Sequence, residues 1–193
     1  MNESMINAAI EYIKDLFRDR ADGHEAEHSL RVYRNAMKIV EGETAADPEI
    51  VALAALLHDT DDHKLFKTEN NANARAFLNR QNLEPEKIEQ ICDAINAVSF
   101  SQNRGRRPET IEGKIVQDAD RLDALGAIGI ARTFAFGGMH GRSMDSNIQH
   151  FYDKLLLLKD EMNTTRGKEM AQTRHAFLET FLEEYKKESG DQK

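Results

Sequence analysis

The most chemically distinctive part of the sequence is a His-Asp pair at the end of an apolar segment. His58 and Asp59 follow the run EIVALAALL, and two further carboxylates, Asp61 and Asp62, come directly after them. Burying such a cluster without partners would cost several kcal/mol or force the carboxyl groups to protonate. A bound cation would remove that cost, so the pattern favours a metal site.

Two other segments carry residues of the types that bind metals. His24 and His28 are four residues apart, which places both on one face of a helix. Asp118, Asp120 and Asp123 crowd a later amphipathic stretch, and the last two share a face with apolar residues. Each segment alone is weak evidence, because helical His and Asp residues are usually solvated. Together they offer a His, a His-Asp pair and an Asp from three helices.

The elements that must position these residues are predicted to be helices. Apolar residues recur at helical spacing from end to end, whereas the alternating Val, Ile and Thr runs typical of strands are nearly absent. We therefore expect an all-α fold, a single-domain helical bundle over residues 1–188 with a flexible tail at 189–193. Its metal-site core would span about 24–125 and its C-terminal helices about 145–188. The helices are predicted at about 2–21, 24–41, 48–59, 69–81, 85–98, 111–134, 145–162 and 166–187.

Composition narrows the class of protein. The chain has 193 residues, 40% of them hydrophobic, and a net charge of −8, which argues against extended nucleic acid as a partner. The single Cys92 excludes an intramolecular disulfide and suits a reducing compartment. We find no signal-peptide pattern and no apolar run long enough for a membrane span. A soluble cytoplasmic protein is expected, without a membrane partner.

Three segments in order, HEAEHSLRV, LLHDTDDHK and QDADRLDALGA, make the sequence recognisable. It resembles the HD-domain metal-dependent phosphohydrolases, in particular their small bacterial YpgQ/YedJ-like branch. The likeness runs from His24 to the C-terminal helix and is most specific at His58–Lys64, in DADRLDALGAIGIARTF from Asp118, and in HFYDKLLLLKDEMNT from His150. This resemblance implies an all-α fold and phosphoester hydrolysis at a metal site.

The resemblance also implies a set of two histidine and two aspartate ligands. These are His28, His58, Asp59 and Asp120. His24 corresponds to a variable histidine of the first segment, and Asp118 to an acid that usually lies behind the ligands. Four such ligands leave about two octahedral positions for a water and a phosphate oxygen. The nitrogen content favours Mn²⁺, Fe²⁺, Co²⁺ or Ni²⁺ over Mg²⁺ or Ca²⁺, with Mn²⁺ preferred.

The number of metals follows from a further comparison of residue types. Relatives that bind two metals use additional histidines between the His-Asp pair and the last Asp. This chain has Asn96, Val98 and Ser99 in that region. One divalent metal per chain is therefore expected.

Candidate catalytic residues lie just after the His-Asp pair. Asp62 is four positions after His58, where related hydrolases place an acid that moves protons or orients the attacking water. Asp61 could take that role instead, or both acids could cap and solvate the turn. Lys64 is close enough in sequence to neutralise phosphate charge, although it could equally be a solvated loop lysine.

Candidate substrate-binding residues are mainly cations. They are Arg104, Arg106, Arg107, His150 and Lys154. The arginines lie in the basic loop SQNRGRRPET, and a guanidinium suits bidentate binding of phosphate. His150 and Lys154 are four residues apart in the branch-specific stretch, a spacing that allows one helix face. Phe134 and Phe136 could stack on a base or belong to the core.

The surplus of cations around these segments favours a polyphosphate substrate. We predict hydrolysis of a nucleoside triphosphate to a monophosphate and pyrophosphate, as the branch resemblance also implies. The alternatives are a nucleotide monophosphatase or a phosphodiesterase on the same site, and a non-catalytic HD signalling module. Enzymes that hydrolyse guanosine alarmones resemble HD-x-x-E-D, whereas this chain continues Thr60, Asp61, Asp62, His63. A homodimer is left open.

Overall fold

The structure, a computed structural model, describes residues 1–18, 26–63, 65–98 and 107–190. All regular elements in these ranges are helices, so the prediction of an all-α fold is confirmed. The elements are α1 (Glu3–Leu16), α2 (Ala26–Val40), α3 (Pro48–Leu57), α4 (Ala72–Arg80), α5 (Pro85–Asn96), α6 (Ile111–Asp123), α7 (Gly126–Met139), α8 (Met144–Asp153), a 3₁₀ helix (Leu155–Glu161) and α9 (Thr165–Ser189).

The chain forms two compact units, Met1–Asp120 and Arg121–Lys193. The first unit is built around α3, which packs against α1, α2 and α5. Asp47 caps this helix by accepting hydrogen bonds from the backbone N–H groups of Glu49 and Ile50, at 2.8 and 3.3 Å. Every residue from Ile50 to Leu57 is buried, because the helix is apolar on all sides. The His-Asp pair therefore begins where a fully buried helix ends.

The second unit has an aromatic core between its helices. Phe151 of α8 lies 6.1 Å from Phe134 of α7 and 5.7 Å from Phe181 of α9, measured between ring centroids. Phe134 is half-buried and packs against these rings. Phe136 is 38% exposed and its ring stacks on His140, with 4.0 Å between centroids.

The helix predicted over 111–134 is in fact two helices. The chain leaves α6 through a tight turn in which Ala124 and Leu125 donate to carbonyls three residues back, at 3.1 and 3.2 Å. Gly126 then takes φ = 69°, a left-handed conformation that glycine adopts without strain. A side chain at Gly129 would collide with the Ala124 carbonyl. These two glycines allow α7 to begin directly after the turn.

The helix predicted over 145–162 also divides. Its first part is α8, which ends at Asp153, and its second part is the 3₁₀ helix from Leu155. Lys154 between them has φ = −140° and ψ = −58°, outside the helical range. Within the described residues, no helix combines the length and apolarity that a bilayer crossing requires.

Candidate metal centre

At the end of α3, one ring nitrogen of His58 is hydrogen-bonded to the backbone of the same helix. His58 Nδ1 lies 2.9 Å from the carbonyl oxygen of Ala55. A carbonyl can only accept a hydrogen bond, so Nδ1 carries a proton and Nε2 is the ring nitrogen that faces the other side chains of the site. A backbone partner of this kind commonly orients a metal-binding histidine.

Four side chains converge at this point, and we call them the His-Asp cluster: His28, His58, Asp59 and Asp120. The Nε2 atom of His28 is 3.2 Å from Nε2 of His58 and 3.3 Å from Asp120 Oδ1. The His58 Nε2 atom is 3.4 Å from Asp59 Oδ1 and 3.9 Å from Asp120 Oδ1. The second oxygen of Asp59 is 3.6 Å from His28 Nε2. The structure thus brings together the four residues predicted as ligands.

The donor set of the His-Asp cluster fits a divalent transition metal. The two histidine side chains are only 4% and 3% exposed, yet their Nε2 atoms face each other at 3.2 Å. Ligand atoms of His28, His58 and Asp120 all lie within 4.8 Å of one another. Two imidazoles with carboxylates suit Mn²⁺, Fe²⁺, Co²⁺ or Ni²⁺.

Asp120 is held in its charged form. Burial by itself would raise the pKa of this carboxyl group. The hydrogen bond with His28 and the charges of His28 and His58 lower the pKa by more, so the net shift is downward. Asp120 therefore carries a negative charge at neutral pH, as a ligand to a cation must.

Two buried amides fix the helix that carries Asp120. Asn35 of α2 donates its side-chain N–H to the carbonyl of Ala119 at 3.2 Å. Gln117 donates to the carbonyl of Ala97, just after α5, at 2.8 Å. Asp118 is fully buried in the same turn. Asn35 was not predicted as a functional residue, although its position seven residues after His28 on the same face of α2 is a signal that could have indicated it.

The acids after the pair differ in their surroundings. Asp61 accepts hydrogen bonds from the backbone N–H groups of Asn73 and Ala74, at 2.9 and 3.0 Å. Asp62 is partly exposed, and its carbonyl accepts from Leu65 and Phe66 at 2.9 Å. The contact between Asn73 and Asp61 was not predicted from the sequence.

The acids of the later amphipathic stretch also differ in their surroundings; they are Asp118, Asp120 and Asp123. Asp123 is buried and lies in the second unit, where its Oδ2 accepts from Arg132 at 2.6 Å. It forms an ion pair with arginine, whereas Asp120 faces histidines.

The predicted phosphate-binding cations are only partly covered by the structure. His24, Lys64, Arg104 and Arg106 lie outside the described residues. Arg107 is exposed in the segment before α6. His150 is on α8 of the second unit, where burial and then the positive charges of Lys154 and Arg142 lower its pKa.

The fold and the cluster agree with a family assignment. Residues 26–125 match the HD domain family, a range that includes the entire His-Asp cluster. The chain belongs to the HD-domain family, and its helical fold is of the HD type. This confirms the family resemblance noted in the sequence.

Individual relatives support the same assignment. The chain is 39% identical over 186 residues to the uncharacterised protein YpgQ of Bacillus subtilis, covering 92% of this chain and 90% of YpgQ. The crystal structure of YpgQ in complex with ADP superposes with a TM-score of 0.84 at 34% identity, covering 96% and 95% of the two chains. An HD-superfamily hydrolase from Bacillus thuringiensis gives 0.82 at 39% identity, covering 98% and 99%. The protein is an HD-superfamily hydrolase with a candidate divalent-metal site.

Proposed function

We propose that this hydrolase converts a nucleoside or deoxynucleoside triphosphate to the monophosphate and pyrophosphate. The observation that carries the proposal is the convergence of His28, His58, Asp59 and Asp120 within a few ångströms. The ADP bound to YpgQ supports a nucleotide as the ligand class. We extend the proposal to a cytoplasmic setting, which the single, buried Cys92 suits.

The His-Asp cluster would hold one divalent metal per chain, for which we favour Mn²⁺ and keep Fe²⁺, Co²⁺ and Ni²⁺ as alternatives. Bound there, such an ion would polarise a phosphoryl oxygen and lower the pKa of a water molecule. The protein's own contribution is to fix the ligands before the metal arrives. The Ala55 carbonyl sets the tautomer of His58, and Asn35 fixes the backbone next to Asp120.

Proton transfer is assigned to the segment after the pair. We place Asp62 as the group that takes the proton of the attacking water at its carboxylate. The water oxygen then bonds to phosphorus, and the bond to the departing pyrophosphate oxygen breaks. Asp61 and Lys64 are the other candidates in this segment, the first for the proton and the second for phosphate charge.

We assign binding of the negatively charged substrate phosphates to five side chains, which are Arg104, Arg106, Arg107, His150 and Lys154. A nucleoside triphosphate brings about four negative charges, about two more than a monophosphate, so it needs cations beyond the metal. The lowered pKa of His150 makes its imidazole neutral at pH 7. We therefore give His150 a hydrogen-bonding role and leave the charge to Lys154 and the arginines.

Chromatography of a triphosphate digest tests the proposal. The Mn²⁺-loaded protein should release monophosphate and pyrophosphate from the start, with neither a diphosphate intermediate nor free phosphate. The His58→Ala variant under the same conditions is the control for contaminating phosphatases. Stepwise release of orthophosphate, or turnover of monophosphates or cyclic nucleotides alone, would replace the pyrophosphohydrolase with one of the other reactions. Metal binding without any turnover would favour a signalling module.

A further inference from the structure

Helix α4 lacks a cap of its own. The residue at its N-cap position, Asn71, has φ = 54° and ψ = 43°, and its side chain makes no capping hydrogen bond. Asn70 before it is also left-handed, with φ = 54°. The first N–H groups of a helix have no partner within the helix, so those of α4 need an acceptor from elsewhere in the chain.

Asp61 supplies that acceptor from ten residues before the cap position. Its Oδ1 accepts from the N–H of Asn73 at 2.9 Å, and its Oδ2 accepts from the N–H of Ala74 at 3.0 Å. Because α4 begins at Ala72, these are the second and third helical residues, whose N–H groups a capping side chain normally binds. A carboxylate at this end of a helix is also favoured by the helix dipole.

Helix α4 in turn holds the turn that follows the His-Asp pair. The side-chain N–H of Asn73 donates to the carbonyl of Thr60 at 2.7 Å. Thr60 is completely buried, and its hydroxyl donates to the carbonyl of Leu57 at 2.7 Å. The carbonyl of Asn73 accepts from the Tyr12 hydroxyl of α1 at 3.3 Å.

These contacts make Asp61 part of a reciprocal connection that we call the α4 clasp, defined by the bonds of Asp61 to α4 and of Asn73 to Thr60. We propose that Asp61 is a positioning residue, which holds the turn carrying His58 and Asp59 in the geometry that binds metal. Each Asp61 oxygen accepts a hydrogen bond from a backbone N–H group of α4, which assigns this carboxylate to capping the helix. The assignment of the remaining proton-transfer role to Asp62 rests on the proposed function, whereas the clasp itself does not.

Substitutions at Asp61 separate capping from proton transfer. Asparagine keeps one of the two acceptor oxygens of this cap but cannot act as a base, whereas alanine keeps neither property. We expect Asp61→Ala to weaken Mn²⁺ binding by up to about tenfold, the lower end of the loss for groups bonded directly to a ligand, and to lower the melting temperature. Asp61→Asn, which keeps one of the two capping bonds, should lose less Mn²⁺ affinity than Asp61→Ala and keep most of its kcat.

Three further variants complete the experiment, in which Mn²⁺ affinity is measured by electron paramagnetic resonance of the unbound ion. Asn73→Ala removes only the bond to Thr60 and should give a smaller loss of affinity in the same direction, so it serves if Asp61→Ala does not fold. Ser143→Ala removes a matched cap from α8, where the Ser143 side chain accepts from Ser146 at 3.1 Å. It should lower stability without changing Mn²⁺ affinity. Asp62→Asn should keep Mn²⁺ affinity and lower kcat about 10²–10⁴-fold.

Two results would overturn the assignment of Asp61. One is unchanged Mn²⁺ affinity in both Asp61→Ala and Asn73→Ala. The other is an Asp61→Asn variant that binds Mn²⁺ normally but has lost as much kcat as Asp61→Ala, because that pattern identifies the proton-transfer group. If the unmodified protein hydrolyses no triphosphate, the proposed function fails, and the order of Mn²⁺ affinities still decides whether the α4 clasp positions the ligands.

Discussion

Asp120 and Asp123 lie three residues apart on helix α6, one at the end of the first unit and the other in the second. Asp123 is almost fully buried and bonds to the guanidinium of Arg132 at 2.6 Å. Asp120 has the imidazole of His28 at 3.3 Å and that of His58 at 3.9 Å. Both acids obey the rule that a buried charge needs a partner.

The two acids differ in whether their partner side chain leaves a place for a metal ion. An arginine is permanently protonated, so the Asp123 pair is complete and has no place for a metal ion. Histidines can be neutral and present lone pairs, so the side chains around Asp120 form a donor set that a divalent cation can occupy. Two neighbouring acids of one helix thus differ in role, because Asp123 forms a structural ion pair and Asp120 is a candidate metal ligand.

The largest expected effect comes from removing one of the predicted ligands that lie with Asp120 in the His-Asp cluster. His58→Ala or Asp59→Ala should abolish both metal binding and hydrolysis, because each removes a ligand from the His-Asp cluster. Elemental analysis of the purified variants, together with the triphosphate assay, measures both properties. Full metal occupancy in a variant that carries both substitutions would show that the ligands are elsewhere.

Breaking the Asp123 side should affect stability and leave metal binding intact. Arg132→Ala would remove the 2.6 Å partner of the buried Asp123 carboxylate, and we expect a loss of about 1–3 kcal/mol in the free energy of unfolding. Denaturant unfolding gives the free energy, and a Mn²⁺ titration gives the affinity. A stable variant with weakened Mn²⁺ binding would mean that the two acids do not differ as described.

The smallest expected effect concerns the pH dependence of stability. The pKa of His150 is lowered by burial and by Lys154 and Arg142, so the unfolded chain takes up a proton at higher pH than the folded one. The stability that the neutral imidazole contributes is present above the unfolded pKa of about 6.5 and is lost as pH falls below it. Melting temperatures between pH 8 and pH 5 should therefore fall less for His150→Gln. Identical curves for the two proteins would exclude this role.

The residues alone predicted a metal site built from a His, a His-Asp pair and an Asp on three helices, whereas the full ligand set was implied by the family resemblance. His58 and Asp59 end an apolar helix, and His28 and Asp120 lie on helices whose faces follow from residue spacing. An all-α fold follows from the same periodicity. The break between α6 and α7 was not predicted, because Gly126 and Gly129 act there through backbone conformation and a close approach to Ala124.

The role of Asp61 could not be decided from sequence for a different reason. Its partners, the N–H groups of Asn73 and Ala74, are backbone atoms twelve and thirteen residues away. Spacing from His58 favoured Asp62 for proton transfer but left Asp61 as an alternative. The indirect signal is the Asn70-Asn71 sequence before α4, which offers left-handed turn residues where a capping side chain would be expected.

A Mn²⁺ titration of the chelator-treated protein tests the central claim most directly, with bound metal and triphosphate hydrolysis measured in the same samples. Our account predicts that hydrolysis is absent at the start, rises in proportion to bound Mn²⁺ and reaches its limit at about one ion per chain. The same titration of His58→Ala should show neither tight binding nor hydrolysis. Hydrolysis by the metal-depleted protein, or tight stoichiometric binding by His58→Ala, would contradict the assignment of the His-Asp cluster as the catalytic metal site.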